Sequence, residues 1–157
     1  PHIMSQHIHR TAEDAATLAA LHKLAFAPNE QWSEESIFGL LSNPAVSAYT
    51  WGEDASAMII VQSVLDEVEI LTIASHPKFR RLGHATKLLN ALEKQFLSAG
   101  ATKWLLDVAE DNVPALAFYQ LLGFVKDGIR PNYYSKGRET PVNAVLMSKA
   151  MGGQGQP

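Results

Sequence analysis

The segment at 73–86 reads Ile-Ala-Ser-His-Pro-Lys-Phe-Arg-Arg-Leu-Gly-His-Ala-Thr, and it joins an apolar strand to an amphipathic helix. Pro77 ends the strand, Arg80 and Arg81 form a basic turn, and Gly83 immediately precedes the helix. Backbone N–H groups at the start of a helix lack intrahelical partners and lie at the positive end of the helix dipole, so they attract anions. Glycine lets the backbone approach a phosphate closely, and arginines add positive charge. The segment therefore predicts a pyrophosphate site.

The motif within this segment, Arg-x-x-Gly-x-Ala, has only three fixed positions. A solvated basic turn with a glycine bend could have the same sequence pattern without binding a phosphate. Its context must therefore decide between the two interpretations. Three strands are predicted before it, at 46–51, 57–63 and 67–75. The helix after it has apolar residues at spacings of three and four, so that one face packs on a sheet. These residues are Ala85, Leu88, Leu89, Leu92, Phe96 and Ala99.

Capping residues and apolar runs predict the remaining elements. Thr11, with Asp14 as its reciprocal partner, caps a first helix, and Ser33 caps a second. The strand at 102–109 is apolar on both faces, as expected of a central strand, and Asn112 caps the helix that follows it. The others are strands at 6–10, 124–129 and 142–148, with a loop entered at 132–134. The order β-α-α-β-β-β-α-β-α-β-β predicts an α/β fold, a mixed sheet with helices on both faces.

Length and composition indicate one soluble globular domain. The 157 residues are 46% hydrophobic and 18% charged, which is enough apolar sequence for a substantial core. We place the domain at 4–150 and interpret residues 1–3, ahead of Met4, as additional to the natural sequence. A flexible tail is expected at 151–157, because glycine, glutamine and proline cannot bury apolar surface.

Charge, cysteine content and hydropathy exclude several classes of function. The formal net charge is −3, so no global basic field attracts nucleic acid or anionic lipid. The chain has no cysteine, which excludes disulfides and thiolate catalysis. His7 and His9 alternate on a strand without a third ligand, so no metal is expected. No apolar run approaches the ~20 residues of a membrane helix, and a cytoplasmic location is expected.

Further motifs occur at consistent spacing between residues 26 and 147. They are Gln31-Trp32-Ser33-Glu34, Val64-Leu65-Asp66-Glu67, Trp104-Leu105, Asn112, Tyr119 with Leu122-Gly123-Phe124, and Arg130-x-Asn132-Tyr133-Tyr134. Together with the glycine turn, these motifs resemble the GCN5-related N-acetyltransferase (GNAT) superfamily, and within it the branch that acetylates ribosomal-protein N-terminal alanine. The resemblance implies the GNAT fold and acetyl-CoA as co-substrate, with no metal.

The resemblance also implies a role for each matching residue. Acetyl-CoA is expected to contact the end of a splayed strand, the phosphate turn and one asparagine, namely Ile73, Ala74, Ser75, Arg81, Leu82, Gly83, His84, Ala85, Thr86 and Asn112. Three aromatic residues are expected to wall the acceptor cleft, namely Trp32, Tyr133 and Tyr134. Tyr119 falls on the acid that protonates the departing thiolate, a role that suits a phenol with a pKa near 10, although it could simply be a core tyrosine.

Asp107 falls on the catalytic base, which is a glutamate in the pattern of that branch, so the side chain here is one methylene shorter. An aspartate within an apolar strand could instead be structural, accepting hydrogen bonds from loop N–H groups. Glu69 is the main alternative base, because many related acetyltransferases use a glutamate on the strand entering the turn. Glu110, at the end of its strand, is a weaker alternative. Ser75 and His76 also replace the Val-Asp that is usual before the proline.

The implied reaction is direct acetyl transfer to the N-terminal alanine of a small-subunit ribosomal protein, with both substrates bound together. An acetyl-cysteine intermediate is excluded because the chain has no cysteine. Two alternatives remain open. One is acetylation of a small amine or a lysine side chain, and the other is a catalytically weak module that only binds a CoA compound. Direct binding to nucleic acid or to a membrane is not expected.

Overall fold

The computed structural model describes residues 6–80 and 82–152. Its strands and α-helices are β1 (His7–Arg10), α1 (Ala15–Ala25), α2 (Glu34–Leu41), β2 (Val46–Trp51), β3 (Ala57–Val64), β4 (Glu67–Ser75), α3 (His84–Ser98), β5 (Lys103–Ala109), α4 (Val113–Leu121), β6 (Val125–Tyr134) and β7 (Val142–Ala150). The strands form one mixed sheet in the order β1-β2-β3-β4-β5-β7-β6, in which only the β4–β5 pair is parallel among the described strands. The predicted element order is confirmed.

The predicted capping residues fix where the helices begin. An Asp14 carboxylate oxygen accepts a hydrogen bond from the Thr11 N–H at 2.8 Å, so Thr11 caps a short 3-10 helix, Ala12–Asp14, that leads into α1. The side chains of Ser33 and Asn112 each accept a hydrogen bond from the N–H three residues on, at 3.1 and 3.2 Å. Such a cap is worth about 1 kcal/mol. The cap at Asn112 therefore sets the start of α4, the helix that carries Tyr119.

Helices pack on both faces of the sheet, and each face has its own core. On one face, α1 and α2 bury a cluster that includes Leu18, Ile37 and Ile60. On the other face, α3 and α4 bury a larger cluster around Leu92 and Trp104, both fully buried. Burying one such side chain stabilises the fold by about 1.5–3 kcal/mol. The sheet is thus held from both sides, which gives a rigid support for the strand ends.

The parallel strands β4 and β5 diverge before they end. Their pairing covers Glu67 to Ile70 of β4 and stops there in the described chain. On its other side, β4 stays paired with β3 up to Ser75, but Leu71 is an extra residue between two consecutive pairs. Such a β-bulge bends the strand that contains it. The end of β4 therefore turns away from β5, and the edge that would face β5 is left open.

One predicted loop is a strand. Residues 132–134, expected to enter a loop, form the end of β6, where Tyr134 pairs with β7. The register shifts just before Tyr134, and Asn132 has a φ of 52°. The Asn132 N–H donates a hydrogen bond to the side chain of Asn143 in β7 at 3.0 Å. An edge strand tolerates such an irregularity, so the turn-like residues do not end the strand.

The folded chain also extends beyond the predicted end of the domain. Met151 is 7% exposed, and its N–H donates a hydrogen bond to the Thr102 carbonyl oxygen at 2.9 Å. The Gly152 N–H donates to the buried carboxylate of Glu93 at 3.0 Å. The tail predicted to begin at 151 is therefore wrong for these two residues. Its remainder at 153–157, like residues 1–3, lies outside the described residues. Within the described ranges, no helix is long and apolar enough to cross a membrane.

Candidate active site

A cavity of about 610 Å³, the donor cavity, lies where β4 leaves β5. Its walls come from the ends of α1 and β4, the turn before α3, the start of α3 and one side of α4. Seven of the predicted acetyl-CoA residues line it, namely Ile73, Ala74, Ser75, Gly83, His84, Ala85 and Thr86. A cavity of this volume lies within the range that proteins use to hold cofactors.

The turn before α3 has the geometry of an anion site. Gly83 has a φ of 74°, in the left-handed region that favours glycine, and directly precedes the helix. Arg80 lines the same cavity, and its guanidinium donates a hydrogen bond to the Ala25 carbonyl oxygen at 3.3 Å. The His84 ring is held at the helix start by a 2.7 Å hydrogen bond with Ser56. Helix N–H groups and a cation beside an open cavity fit the pyrophosphate of acetyl-CoA.

Two of the predicted acetyl-CoA residues that the structure describes do not line the donor cavity. Asn112 lines the neighbouring cavity, and its side-chain oxygen is engaged in capping α4. Leu82 is 55% exposed, and its N–H donates a hydrogen bond to the Phe79 carbonyl oxygen within the turn at 3.3 Å. Arg81 lies outside the described residues.

A second cavity of about 400 Å³, the acceptor cavity, adjoins the donor cavity. Its walls include the ends of β4, β5 and β6, together with the α1–α2 and β6–β7 loops. The three predicted acceptor residues line it, namely Trp32, Tyr133 and Tyr134. Asn29 and Gly137, one from each loop, approach so closely that a Cβ on Gly137 would collide with the Asn29 side chain. The two loops therefore meet beside the acceptor cavity, and glycine is needed for their contact.

Four residues line both cavities and form the boundary between them, namely Phe26, Ile73, Ala115 and Tyr119. A donor and an acceptor bound on its two sides would meet at this boundary. Direct transfer then needs no residue to carry the acetyl group, since bound reactants in contact gain the advantage of proximity.

Tyr119 lies on this boundary and is only 8% exposed. Its ring is held by edge contacts with Phe118 and Phe124. Among the described residues, none forms a hydrogen bond with its hydroxyl group. Every fully buried polar side-chain atom of these residues has a hydrogen-bond partner, so the Tyr119 hydroxyl oxygen is not fully buried and is accessible from the cavities. Burial raises the pKa of Tyr119 above its ordinary value, and the neighbouring Tyr134 adds to this effect. The phenol is therefore protonated at neutral pH, as a proton donor must be.

Asp107 is the only one of the three candidate bases that lines a described cavity. Its carboxylate lies in the acceptor cavity, 3.7 Å from a guanidinium nitrogen of Arg130. The pKa of Glu69 is raised by burial and then by the charge of Asp107, so these two carboxylates are neighbours. The Glu110 carboxylate accepts a hydrogen bond from the Asn143 N–H at 2.7 Å. Geometry thus favours Asp107 for contact with an acceptor amine, with Glu69 nearby and Glu110 engaged elsewhere.

Two arginines hold the tyrosines of the acceptor cavity. Arg130 lies 4.8 Å from the centre of the Tyr133 ring, and Arg138 lies 5.8 Å from that of Tyr134. Arg138 also donates two hydrogen bonds to the Asp111 carboxylate, at 3.0 and 3.2 Å. Burial, and then the charge of Asp107, raise the pKa of Tyr134 to about 12. The β6–β7 loop is thereby fastened to the loop that precedes α4.

Sequence reasoning missed several residues of the acceptor cavity. Phe26 and His22, at and near the end of α1, line this cavity, and neither was among the predicted site residues. The available signal was the polarity of His22 on a buried face, because a buried imidazole needs hydrogen-bond partners. Arg138 offered no local signal, since its partner Asp111 is 27 residues away. No group of three or more side chains that could hold a metal ion occurs in the described ranges.

Comparison with known proteins gives the class of protein to which this fold and these two adjoining cavities belong. Residues 8–124 match the family described as the Acetyltransferase (GNAT) family. Because this match covers most of the chain, the protein belongs to the GNAT acetyltransferase family. It is an N-acetyltransferase, and its acetyl donor is acetyl-CoA.

The most informative relatives share one enzyme name, [ribosomal protein bS18]-alanine N-acetyltransferase. The protein of that name from Salmonella typhimurium is 34% identical over 120 residues, which cover 74% of this chain and 79% of that protein. The one from Haemophilus ducreyi is 36% identical over 100 residues, covering 64% of this chain and 69% of that protein. The crystal structure of the ribosomal-protein-S18-alanine N-acetyltransferase from Escherichia coli superposes with a TM-score of 0.77 at 26% identity, covering 92% of this chain and 94% of that one.

Replacing Gly83 with glutamate is expected to weaken acetyl-CoA binding by roughly tenfold or more, because a negative charge would enter an anion site at a helix start. A Cβ at Gly83 meets open space, so the loss would come from charge and from the φ of 74° and not from a collision within the protein. Gly100→Glu is the matched control, since Gly100 has a φ of 100° and equally open space at the other end of α3. Calorimetry with both folded variants measures the affinity. Unchanged affinity in Gly83→Glu would exclude the anion site.

Proposed function

We propose that this enzyme acetylates the α-amino group of a protein N-terminus, and that its acceptor is the N-terminal alanine of a small-subunit ribosomal protein. The observation that carries the proposal is the boundary between the two cavities, with Tyr119 on it and Asp107 in the acceptor cavity. The names of the relatives support alanine as the acceptor residue and bS18 as the acceptor protein.

In the proposed reaction, bound acetyl-CoA supplies the acetyl group as a thioester. Backbone N–H groups along the open edge of β4, between Ile73 and Ser75, polarise its carbonyl and stabilise the negative charge that develops on the oxygen. Asp107 accepts a proton from the acceptor ammonium, directly or through one water, so that the nitrogen can attack. Tyr119 donates its phenolic proton to the departing sulfur. One C–N bond forms and one C–S bond breaks. The nitrogen loses two protons, the first to Asp107 and the second to water as the tetrahedral intermediate collapses. CoA leaves as the thiol with the proton from Tyr119, and the Tyr119 phenol regains a proton from water.

The chemistry of Asp107 suits an α-amine better than a lysine. An α-amino group has a pKa of about 7.7–8.0 and a lysine one of about 10.4, a difference of roughly 2.5 units. Removing the proton from lysine at neutral pH therefore costs about 3.4 kcal/mol more. An aspartate side chain, one methylene shorter than glutamate, reaches less far toward the amine. Such a base is adequate for an α-amine, and a lysine acceptor would demand more of it.

Matched peptides test the acceptor. We expect acetylation of a peptide with a free N-terminal alanine followed by basic residues, and little of a peptide with a blocked N-terminus and an internal lysine. Mass spectrometry should place the acetyl group on the alanine nitrogen, and spermidine serves as the small-amine control. Preferred turnover of spermidine or of the blocked peptide would reject the proposal. Binding of acetyl-CoA without turnover of any acceptor would favour a CoA-binding module instead.

We further propose a basic protein partner and a cytoplasmic site of action. The net charge of −3 favours approach of a basic peptide, as a long-range steering effect that weakens with salt. A ribosomal protein carries many basic residues because it binds RNA. Its synthesis and assembly take place in the cytoplasm, and the absence of cysteine is compatible with that compartment.

A further inference from the structure

His22, in the last turn of α1, joins three elements that surround the acceptor cavity. The residue is 1% exposed. Its Nδ1 accepts a hydrogen bond from the Trp32 backbone N–H at 3.1 Å, and its Nε2 lies 3.1 Å from the Thr72 hydroxyl oxygen. Because Nδ1 is the acceptor in the first bond, a neutral ring carries its proton on Nε2 and donates it to Thr72. One imidazole therefore ties α1 both to the α1–α2 loop and to β4 beside its bulge.

The same ring is the middle layer of an aromatic stack. Its centre lies 4.1 Å from that of Phe26 and 5.0 Å from that of Trp32, with interplanar angles of 19° in both pairs. All three side chains line the acceptor cavity, and Phe26 also lines the donor cavity. The stack thus extends from the α1–α2 loop to the boundary where the substrates would meet. Displacing His22 would release Trp32 at one end and Phe26 at the other.

His22 is occupied by the protein on both nitrogens and does not act as a proton carrier. Burial lowers its pKa to about 4, so the ring is neutral at physiological pH. In this form Nδ1 keeps its lone pair for the Trp32 N–H. The first-neighbour groups are a backbone N–H, a hydroxyl and two aromatic rings, none of which is ionisable. The contribution of the residue to the site is therefore one of position.

We propose that His22 is a positioning residue of the acceptor site, which holds the Trp32 wall in place through its bond to the Trp32 backbone. The first residue of the acceptor binds against this wall, so His22 governs acceptor affinity without touching the reacting atoms. The nature of that first residue rests on the proposed function, whereas the wall itself serves any acceptor that enters this cavity.

Three replacements of His22 separate its contacts. Asparagine retains an acceptor near Nδ1 for Trp32, glutamine retains a donor near Nε2 for Thr72, and phenylalanine retains only the stacked ring. We expect the phenylalanine and glutamine variants to raise the acceptor KM by roughly 5- to 10-fold, the effect of one lost hydrogen bond, with the KM for acetyl-CoA unchanged. The asparagine variant loses the Thr72 bond and the stacked ring but keeps the bond to Trp32, so its acceptor KM should rise least of the three, although it leaves the largest void and has the lowest thermal stability.

A purely structural role predicts the opposite order. The acceptor KM would then rise as thermal stability falls, and the asparagine variant would have the highest acceptor KM. That order, or an equal rise in both KM values, would overturn the proposal. Thr72→Val and Thr72→Ser form a near-isosteric pair in case the His22 variants do not fold. Valine removes the hydroxyl that orients the ring and should raise the acceptor KM, whereas serine should not. An unchanged acceptor KM in a folded Thr72→Val variant would also count against the proposal.

The series is measured with whichever acceptor of the peptide and spermidine panel the wild-type enzyme acetylates. Failure of the alanine peptide therefore rejects the proposed function and leaves this proposal to its own test. Hydrogen exchange at the Trp32 amide gives a readout that needs no acceptor. The amide should be protected in the wild type and in His22→Asn, and should exchange faster in His22→Gln and His22→Phe. Equal protection in all four proteins would show that His22 does not anchor the loop.

Discussion

Tyr119→Phe is expected to lower kcat by roughly 10²–10⁴, the usual contribution of a positioned acid or base. The substitution removes only the hydroxyl from a ring held by Phe118 and Phe124, so the boundary between the cavities should keep its shape. The affinity for acetyl-CoA should therefore change little. Because burial raises the pKa of Tyr119, the phenol does not ionise near neutral pH, and wild-type activity should not fall through loss of this proton below about pH 10. Steady-state kinetics and calorimetry measure the two effects.

Tyr49→Phe is the matched control for this substitution. Tyr49 is as deeply buried, at 7% exposure, and its hydroxyl accepts a hydrogen bond from Gln95 at 3.2 Å, away from both cavities. Its loss should affect stability and leave kcat within a small factor of the wild type. Near-normal kcat in Tyr119→Phe would remove Tyr119 from the reaction. Equal losses in both variants would point to a general effect on the core.

Asp107→Asn is expected to lower kcat/KM for the acceptor by roughly 10²–10⁴ at neutral pH, because the amide cannot take the proton of the ammonium group. The shape of the side chain is preserved, so the affinity for acetyl-CoA should again stay close to the wild-type value. Asp107→Glu supplies the residue usual in related enzymes and should retain substantial activity. The Asp107 carboxylate lies in the acceptor cavity beside Arg130, and a glutamate carboxylate at this position should stay in the same cavity. Initial rates at saturating acetyl-CoA, with the acceptor peptide varied, give these ratios.

Glu69→Gln decides between the two neighbouring carboxylates. Glu69 lines neither the donor nor the acceptor cavity. Its substitution should therefore change kcat/KM by only a few fold, through the loss of its electrostatic interaction with Asp107. Asp127→Asn, at an exposed position in β6, controls for the loss of one negative charge. If Glu69→Gln abolishes turnover while Asp107→Asn is nearly normal, Glu69 is the base and the assignment of Asp107 is wrong.

The donor cavity could be predicted from sequence because its residues are close together along the chain. Nine of its lining residues come from the short run between Ile73 and Thr86, where a strand end, a glycine turn and a helix start follow one another. Local rules of capping and periodicity describe such a run well. The same rules located Asn112 and the start of α4, and through them the place of Tyr119.

The acceptor cavity was less predictable because its walls meet only in the folded chain. The sequence around Arg138 does not indicate that its partner is Asp111. The sequence around His22 likewise does not indicate Thr72, which is 50 residues away. The loop predicted at 132–134 was wrong for a related reason, since pairing with β7 outweighed the local preference of Asn132 for a turn. Met151 was assigned to the tail by its glycine-rich neighbours, although its own side chain is buried in the core. Tertiary contacts decided each of these cases.

The shared boundary of the two cavities has a consequence for inhibition. A single molecule in which the sulfur of CoA is linked covalently to the α-nitrogen of an alanine peptide would occupy both cavities at once, passing Ile73 and Tyr119 at the junction. Once one half is bound, the other half is present at a high effective concentration, and no second loss of translational freedom is incurred. The affinity of such a conjugate should far exceed that of either half. Its peptide portion would make it selective among acetyltransferases, because the CoA portion is common to them all.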